Sequence, residues 1–312
     1  MLTSEQIERR KHHITGTDIA RILNISPFGG PLTVWGEKLG LLPATEPNEA
    51  MERGTYLESG ILDWYVAITG AKLRKPGTII HRKYPLIAAT PDAVAVFGLS
   101  EYRAVEAKAP TPWTQRQWGK DGSDDIPQHY IPQAIFVAAV TETARTDIPA
   151  DIGTALRIYP VMYDEELFQI FREASEKFWR DYVETKIPPP AGPADVNTIK
   201  QLHPTARIKD YVEADEILSN TIDDYHRQIE TLKHSEQDLD KIKAVLIQTI
   251  GDKSGIKGSF GRIDYKNNMP SSVIEWQLIA RELNASQALI AKHTILKPGA
   301  RPFKVFWKKE SK

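Results

Sequence analysis

Two carboxylates and a lysine lie close together in sequence in the first half of this chain: Asp92, Glu106 and Lys108. Val105-Glu106-Ala107-Lys108 reads as a strand. Strand side chains alternate, so Glu106 and Lys108 share one face and Val105 and Ala107 the other. Burying a carboxylate beside an ammonium is costly unless each finds a further partner, and a metal ion is a natural partner for Glu106. Asp92 lies 14 residues before Glu106, on the preceding strand of a hairpin-like pair. Pairing those strands brings the two carboxylates together. Hard oxygen donors suit Mg²⁺, which keeps several waters and bridges to phosphate. Such an ion activates a water and offsets charge developing on phosphorus. A lysine orients that water or stabilises the same charge as a compact cation. The chemistry this set fits is phosphodiester hydrolysis.

The surrounding pattern supplies elements to hold these residues. Short helices are expected over 18–23 and from Pro31 to Leu39, where the proline suits a first turn. A longer helix is expected over 48–69, with an apolar stripe of Leu57, Ile61, Leu62, Trp64, Tyr65 and Ile68, ending at Gly70. Glu58 falls on that stripe. Strands are expected over 72–81, 87–97 and 102–109, then a buried helix from Gln133 to Val140, a strand over 156–163 and a helix from Asp164 to about Thr185. The order helix, three strands, helix, strand, helix predicts an α/β core with a central mixed sheet flanked by helices.

Ile187-Pro188-Pro189-Pro190-Ala191-Gly192-Pro193 reads as a stiff linker, because proline neither continues a helix nor donates to a sheet. The expected division is a catalytic domain over 1–187, a Pro-rich linker over 188–210 and a smaller α+β module over 211–312. In that module Ile222 to Ile250 carries a long amphipathic pattern, expected as a helical hairpin breaking near His234-Ser235. Strands are expected over 258–265 and 302–307, and short helices over 274–283 and 286–293.

Composition narrows the function classes. The 312 residues carry a net charge of −1, so any nucleic-acid contact must be a local basic groove. There is no cysteine, which excludes disulfides, zinc-thiolate sites and iron–sulfur clusters. No leader-like or bilayer-spanning apolar run is present, so a cytoplasmic protein is the expectation.

Thr90-Pro91-Asp92 followed by Glu106-Ala107-Lys108 resembles the PD-(D/E)XK nuclease signature, on a restriction-endonuclease-like core. Around it, in order, stand His13-Ile14-Thr15-Gly16-Thr17-Asp18, Pro31-Leu32-Thr33-Val34-Trp35, Arg53-Gly54-Thr55-Tyr56-Leu57-Glu58 and Tyr130-Ile131-Pro132-Gln133. The series is similar to the YqaJ-like viral recombinase family, related to lambda exonuclease, and covers about residues 1–185. The resemblance implies that Asp92, Glu106 and Glu58 surround the metal, that Lys108 is the catalytic lysine, and that Gln133 helps hold the site. It places Arg10, Thr17 and Thr90 at a terminal 5′-phosphate. It implies a Mg²⁺-dependent exodeoxyribonuclease, Mn²⁺ being able to substitute. Its substrate would be double-stranded DNA ends, digested 5′ to 3′ to leave 3′ single strands for an annealing recombinase. The setting would be a bacterial or phage-infected cell, and a ring trimer is the homo-oligomer implied. The sequence departs from the family pattern at Ala93, where glycine is common, and at Ile135, where a second glutamine is common. The competing readings are a structure-specific or single-strand nuclease on the same core, and a catalytically silent DNA-binding or assembly protein.

Other polar residues have plainer readings. His81 is expected to be structural, and His12 and His13 to face solvent or DNA. Gly261-Arg262-Ile263-Asp264 is expected to be a strand without catalytic role, since no Glu-x-Lys follows it. The cations from Lys297 to Lys312 are expected to form a solvated face.

Overall fold

The computed structural model describes residues 8, 10–43, 48–205, 211–267, 276 and 283–293. The chain divides into two compact units, Met1–Pro204 and Thr205–Lys312. Among the described residues no helix is long and apolar enough to cross a membrane.

The first unit opens with α1 (Gly16–Ile22), α2 (Pro31–Lys38) and α3 (Glu49–Thr69). Asn48 caps α3, accepting from Met51 N, and Gly70 ends it at a φ of 69°, which glycine adopts without strain. Next come β1 (Lys72–Arg74), β2 (Ile79–Ile80), β3 (Ala88–Ala89), β4 (Ala93–Phe97) and β5 (Glu101–Val105). The single strand expected over 72–81 is therefore two. Pro76 cannot donate to a ladder, and Gly77 turns the chain at a φ of 75°. Helix α4 (Ile131–Thr141) leads to β6 (Arg145–Asp151) and β7 (Leu156–Met162), followed by α5 (Glu165–Phe178), a π turn (Trp179–Glu184) and α6 (Val196–Leu202).

Five strands form one sheet in the order β1-β4-β5-β6-β7, antiparallel except for the β5/β6 pair. The mixed sheet was expected; β6 was not. Its sequence, Arg-Thr-Asp-Ile-Pro-Ala-Asp, lacks clean alternation and carries a proline, which central strands rarely tolerate. Here Pro149 still uses its carbonyl, accepting from Lys108 N at 2.9 Å.

Helices cover both faces of the sheet. On one face Ala104, Ile148 and Ala150 pack among α1, α4 and α5, where Ile135, Phe136 and Phe168 are buried. On the other, Ala93, Ala95 and Val105 meet Ile61, Leu62 and Tyr65 of α3. Trp64 and Ile68 of the expected stripe are 43% and 54% exposed, so α3 buries a narrower face than its sequence suggests.

The proline run does not end the first unit. Beyond it, the fully buried Asp195 carboxylate accepts from the backbone of Gly30, Leu32, Thr33 and Gly192 and from the Thr33 hydroxyl. Gly30 has no side chain with which to cap α2, and Asp195 supplies the anion from 162 residues along the chain (counted from Thr33). Residues 193–202 are thus packed on α2 rather than being a spacer.

In the second unit α7 (Glu216–Ile250) is one unbroken helix of 35 residues, capped by Asp215. The hairpin break expected at His234-Ser235 is absent: Ser235 Oγ bonds back to Thr231 O at 3.0 Å, and helical pairing continues. A hairpin follows, β8 (Gly255–Gly258) with β9 (Gly261–Asp264), then α8 (Gln287–Lys292). The strand expected over 302–307 lies outside the described residues, as does all of the 274–283 helix except Trp276 and Leu283.

Candidate active site

β4 and β5 run antiparallel with Ala93 opposite Val105, which sets Asp92 and Glu106 side by side just beyond that last pair. Ladder assignment of β5 stops at Val105, but its backbone pairing goes on. Glu106 N donates to Asp147 O at 3.1 Å, and Lys108 N to Pro149 O at 2.9 Å. Alternation along this edge puts Val105 on the α3 face and sends Glu106 and Lys108 the other way, toward α4.

Glu106 is 2% exposed. Its Oε2 takes a 2.8 Å hydrogen bond from Gln133 Nε2 and lies 3.2 Å from Lys108 Nζ. Its Oε1 is buried and, among the described residues, has no hydrogen-bond partner. Asp92 Oδ2 accepts from Ala107 N at 2.8 Å. Burial, and then the neighbouring Asp92 charge, push the Glu106 carboxyl up to about 8. Burial also raises Asp92, against the opposing pull of Lys108. For Lys108 burial favours the neutral form, but Glu106 and Asp92 outweigh it and hold the ammonium charged. The Lys108 Nζ also lies 5.1 Å from the centre of the Tyr130 ring, a cation–π contact that fixes its direction.

Gln133 comes from the first turn of α4, with Pro132 in that turn. Its position depends on Gly16. A Cβ at Gly16 would lie 2.3 Å from Gln133 Cα, so only glycine lets α1 approach this closely. The flanking residues fix α1. Ile14 pairs with Ile87, and Thr15 and Asp18 form a capping box. The buried Lys38 Nζ bonds Asp18 Oδ2 and Arg10 O, both at 2.7 Å. Burial raises Asp18, yet Lys38 holds it below the usual carboxylate range.

Of the expected residues, Asp92, Glu106, Lys108 and Gln133 are gathered. Glu58 stands apart from the pair: it faces Lys75 at 3.5 Å and is about one-third exposed, though its charge still raises Asp92. Among the described residues no three His, Cys, Asp or Glu side chains form a metal-binding group. Arg10 is near enough for its charge to act on Glu106, and its Nε is buried without a partner among the described residues. Thr90 Oγ1 bonds Thr78 Oγ1 at 2.9 Å, and no hydrogen bond among the described residues joins Arg10, Thr17 and Thr90.

Sequence reasoning missed Lys38 as a support and Tyr130 as the platform under Lys108; Tyr130 was legible only as the first letter of the motif ending in Gln133. His81 is structural as expected, stacked on Phe168 at 5.3 Å and accepting from Lys83 N and Tyr84 N. His13 is structural too, with Nδ1 2.8 Å from Pro85 O.

The residues present fit a divalent cation. A buried Glu106 oxygen with no partner among the described residues, beside a second carboxyl also raised by burial, is a pair whose ionised form needs added positive charge. The fold and site define an α/β domain in which the ends of two central strands and the start of a helix gather two carboxylates, a lysine and a glutamine. Residues 6–144 match the family model of the YqaJ-like viral recombinase domain. The YqaJ protein of Bacillus subtilis is 29% identical over 182 residues, 57% of this chain and 55% of that protein, so the chain spans about half the length of this curated relative. Among solved structures, an alkaline exonuclease from Laribacter hongkongensis is 20% identical, with a TM-score of 0.47 over 59% of this chain and 94% of that one. The same exonuclease in complex with dAMP gives a TM-score of 0.49 over the same shares.

Proposed function

We propose that this chain is a Mg²⁺-dependent deoxyribonuclease of the lambda exonuclease kind. It digests double-stranded DNA from a 5′ end and leaves 3′ single strands for an annealing recombinase in the cytoplasm of a bacterial or phage-infected cell. The observation that supports this best is the cluster of Asp92, Glu106, Lys108 and Gln133 at the ends of the central strands β4 and β5, within the residues that match the YqaJ-like domain.

Asp92 and Glu106 would hold the metal, with water filling the remaining positions. When bound, the ion supplies water activation and neutralises charge on the phosphate. Gln133 keeps one Glu106 oxygen occupied, so the unpartnered Oε1 is the one presented to the cation. Lys108, steered by Tyr130, carries a fixed positive charge toward the phosphorus as negative charge builds there. Mn²⁺, another oxygen-preferring cation, would substitute. Arg10, held through its carbonyl by Lys38, is the cation for a terminal 5′-phosphate, with Thr17 and Thr90 as hydroxyl partners.

The test is digestion of duplex DNA labelled at one 5′ or one 3′ end, with Mg²⁺, with Mn²⁺ and with chelator. Expected are loss of cutting in chelator, faster digestion of 5′-phosphorylated than 5′-hydroxyl ends, and loss of that preference in Arg10→Ala. Metal-independent cutting, or no cutting of any DNA, overturns the nuclease reading. Cutting with no end preference overturns the polarity.

A further inference from the structure

Helix α7 is about 52 Å long at 1.5 Å per residue, yet Ile250 is its one buried residue among those described. Its apolar residues recur with alternating spacings of four and three. Ile222, Ile229 and Ile250 keep one position of a heptad; Tyr225, Leu232, Leu239 and Leu246 keep the other. This period of 3.5, rather than 3.6, produces a straight seam only when a second helix supercoils against it. Isoleucine at the first position with leucine at the second favours two strands. The seam's middle is open to solvent, with Leu232 61% and Leu239 65% exposed.

Two heptad positions are charged, Glu236 and Lys243. Both are exposed. Arg227–Asp224 and Lys241–Asp238 are ion pairs within the helix, on the side away from the seam. No ion pair among the described residues includes Glu236 or Lys243. In a parallel pair each would face its own copy, like charge on like. In an antiparallel pair with Glu236 opposite the partner's Leu239, Ile229 meets Leu246 and Leu232 meets Lys243. Glu236 of each copy then lies one layer from Lys243 of the other, twice, related by the two-fold axis. The charge pattern is thus self-complementary in one orientation.

We infer that α7 is the docking surface for a second copy of this chain, joined as an antiparallel two-stranded coiled coil centred between Glu236 and Leu239.

The test is sedimentation equilibrium of the full-length protein at micromolar concentrations. An assembly with an even number of copies is expected, and Leu232→Glu/Leu239→Glu should halve its mass, with retained far-ultraviolet circular dichroism as the check on folding. Glu236→Lys and Lys243→Glu leave the apolar seam intact and avoid the folding question. Each alone should weaken the dimer by roughly tenfold or more, since both ion pairs become repulsions, and the double exchange should restore it. A monomeric wild-type protein overturns the proposal, as does an oligomer indifferent to Leu232 and Leu239. Single reversals without effect, or a double exchange that fails to restore the dimer, overturn the antiparallel pairing.

Discussion

Gly16 and Gln133 touch backbone to backbone: a Cβ on Gly16 would stand 2.3 Å from Gln133 Cα and 3.0 Å from Gln133 N. Both atoms are main chain in the first turn of α4, so neither can swing aside. The glycine in the His-Ile-Thr-Gly-Thr-Asp motif therefore acts on the site through Gln133, whose amide holds Glu106 at 2.8 Å.

Gly16→Ala should destabilise the protein by about 1–3 kcal/mol, the usual cost of forcing atoms into a packed contact. It should also lower turnover by displacing Gln133. Gln133→Ala provides the comparison. It leaves the α1–α4 contact intact, so it should lower turnover without an equal fall in Tm. Equal activity in Gly16→Ala and wild type would remove this coupling.

Much of the site was legible because its residues are local in sequence and their geometry is simple. A hairpin and a two-residue alternation suffice to put Asp92, Glu106 and Lys108 near one another, as the β4/β5 register and the 3.2 Å Lys108–Glu106 contact do. Gln133 could be placed only through its resemblance, since its partner is 27 residues away across a helix–sheet contact. Strand β6 was hidden because Thr146 and Asp147 are polar yet fully buried. Thr146 donates to Ala134 O, and Asp147 is met by Tyr65 and Arg103 from other elements, partners that no local pattern reveals, besides Arg145 of its own strand. Asp195 was hidden for the same reason: a carboxylate after a proline run reads as solvated until its donors appear 162 to 165 residues earlier.

Asp92→Asn and Glu106→Gln should each abolish cleavage, because each removes charge from the cation site at almost constant volume. Glu106→Gln should not unfold the metal-free protein, and its Tm should equal or exceed that of wild type near pH 8. The buried carboxylate it replaces is costly to ionise. Loss of activity with a large fall in Tm would make Glu106 a structural residue instead. Lys108→Ala should bind Mg²⁺ and DNA yet lose at least about 10²-fold in turnover if the ammonium stabilises developing charge.

The pH dependence of metal binding follows from the same carboxyl. Burial raises Glu106 to about 8 in the folded, metal-free protein, above its unfolded value. Its contribution to stability is therefore present below the unfolded pKa and is lost as pH rises through the folded one. A cation binds the ionised form, so Mg²⁺ binding below pH 8 releases a proton. The rise in Tm on adding saturating Mg²⁺ should grow from pH 6 to about pH 8 and then level off. A shift independent of pH across that range, measured by calorimetry, would show that Glu106 does not bind the ion.

The end of the first unit can be located by truncation. The proline run at 188–193 suggests a cut near Pro193, but Asp195 lies beyond it and caps α2 through three backbone donors, Gly30, Leu32 and Thr33, and the Thr33 hydroxyl. Burial raises the Asp195 carboxyl, yet those hydrogen bonds bring it below its ordinary value, so the anion is held there by the fold. Thr198 adds a 2.6 Å contact to the same Thr33 hydroxyl. A fragment ending at Pro193 loses all of these and leaves the buried amides at the start of α2 without an acceptor. Each such loss costs about 1–3 kcal/mol. A fragment ending at Pro204 keeps them. The longer fragment should fold with a Tm near that of the full chain and retain Mg²⁺-dependent cutting. The shorter one should melt at least about 5 °C lower, consistent with a loss of a few kcal/mol in a unit of this size, and Asp195→Ala in the longer fragment should reproduce that fall. Equal melting of the two fragments would mean that Asp195 only decorates α2. Failure of the folded longer fragment to cut any DNA at high concentration would mean that residues beyond Pro204 belong to the active enzyme.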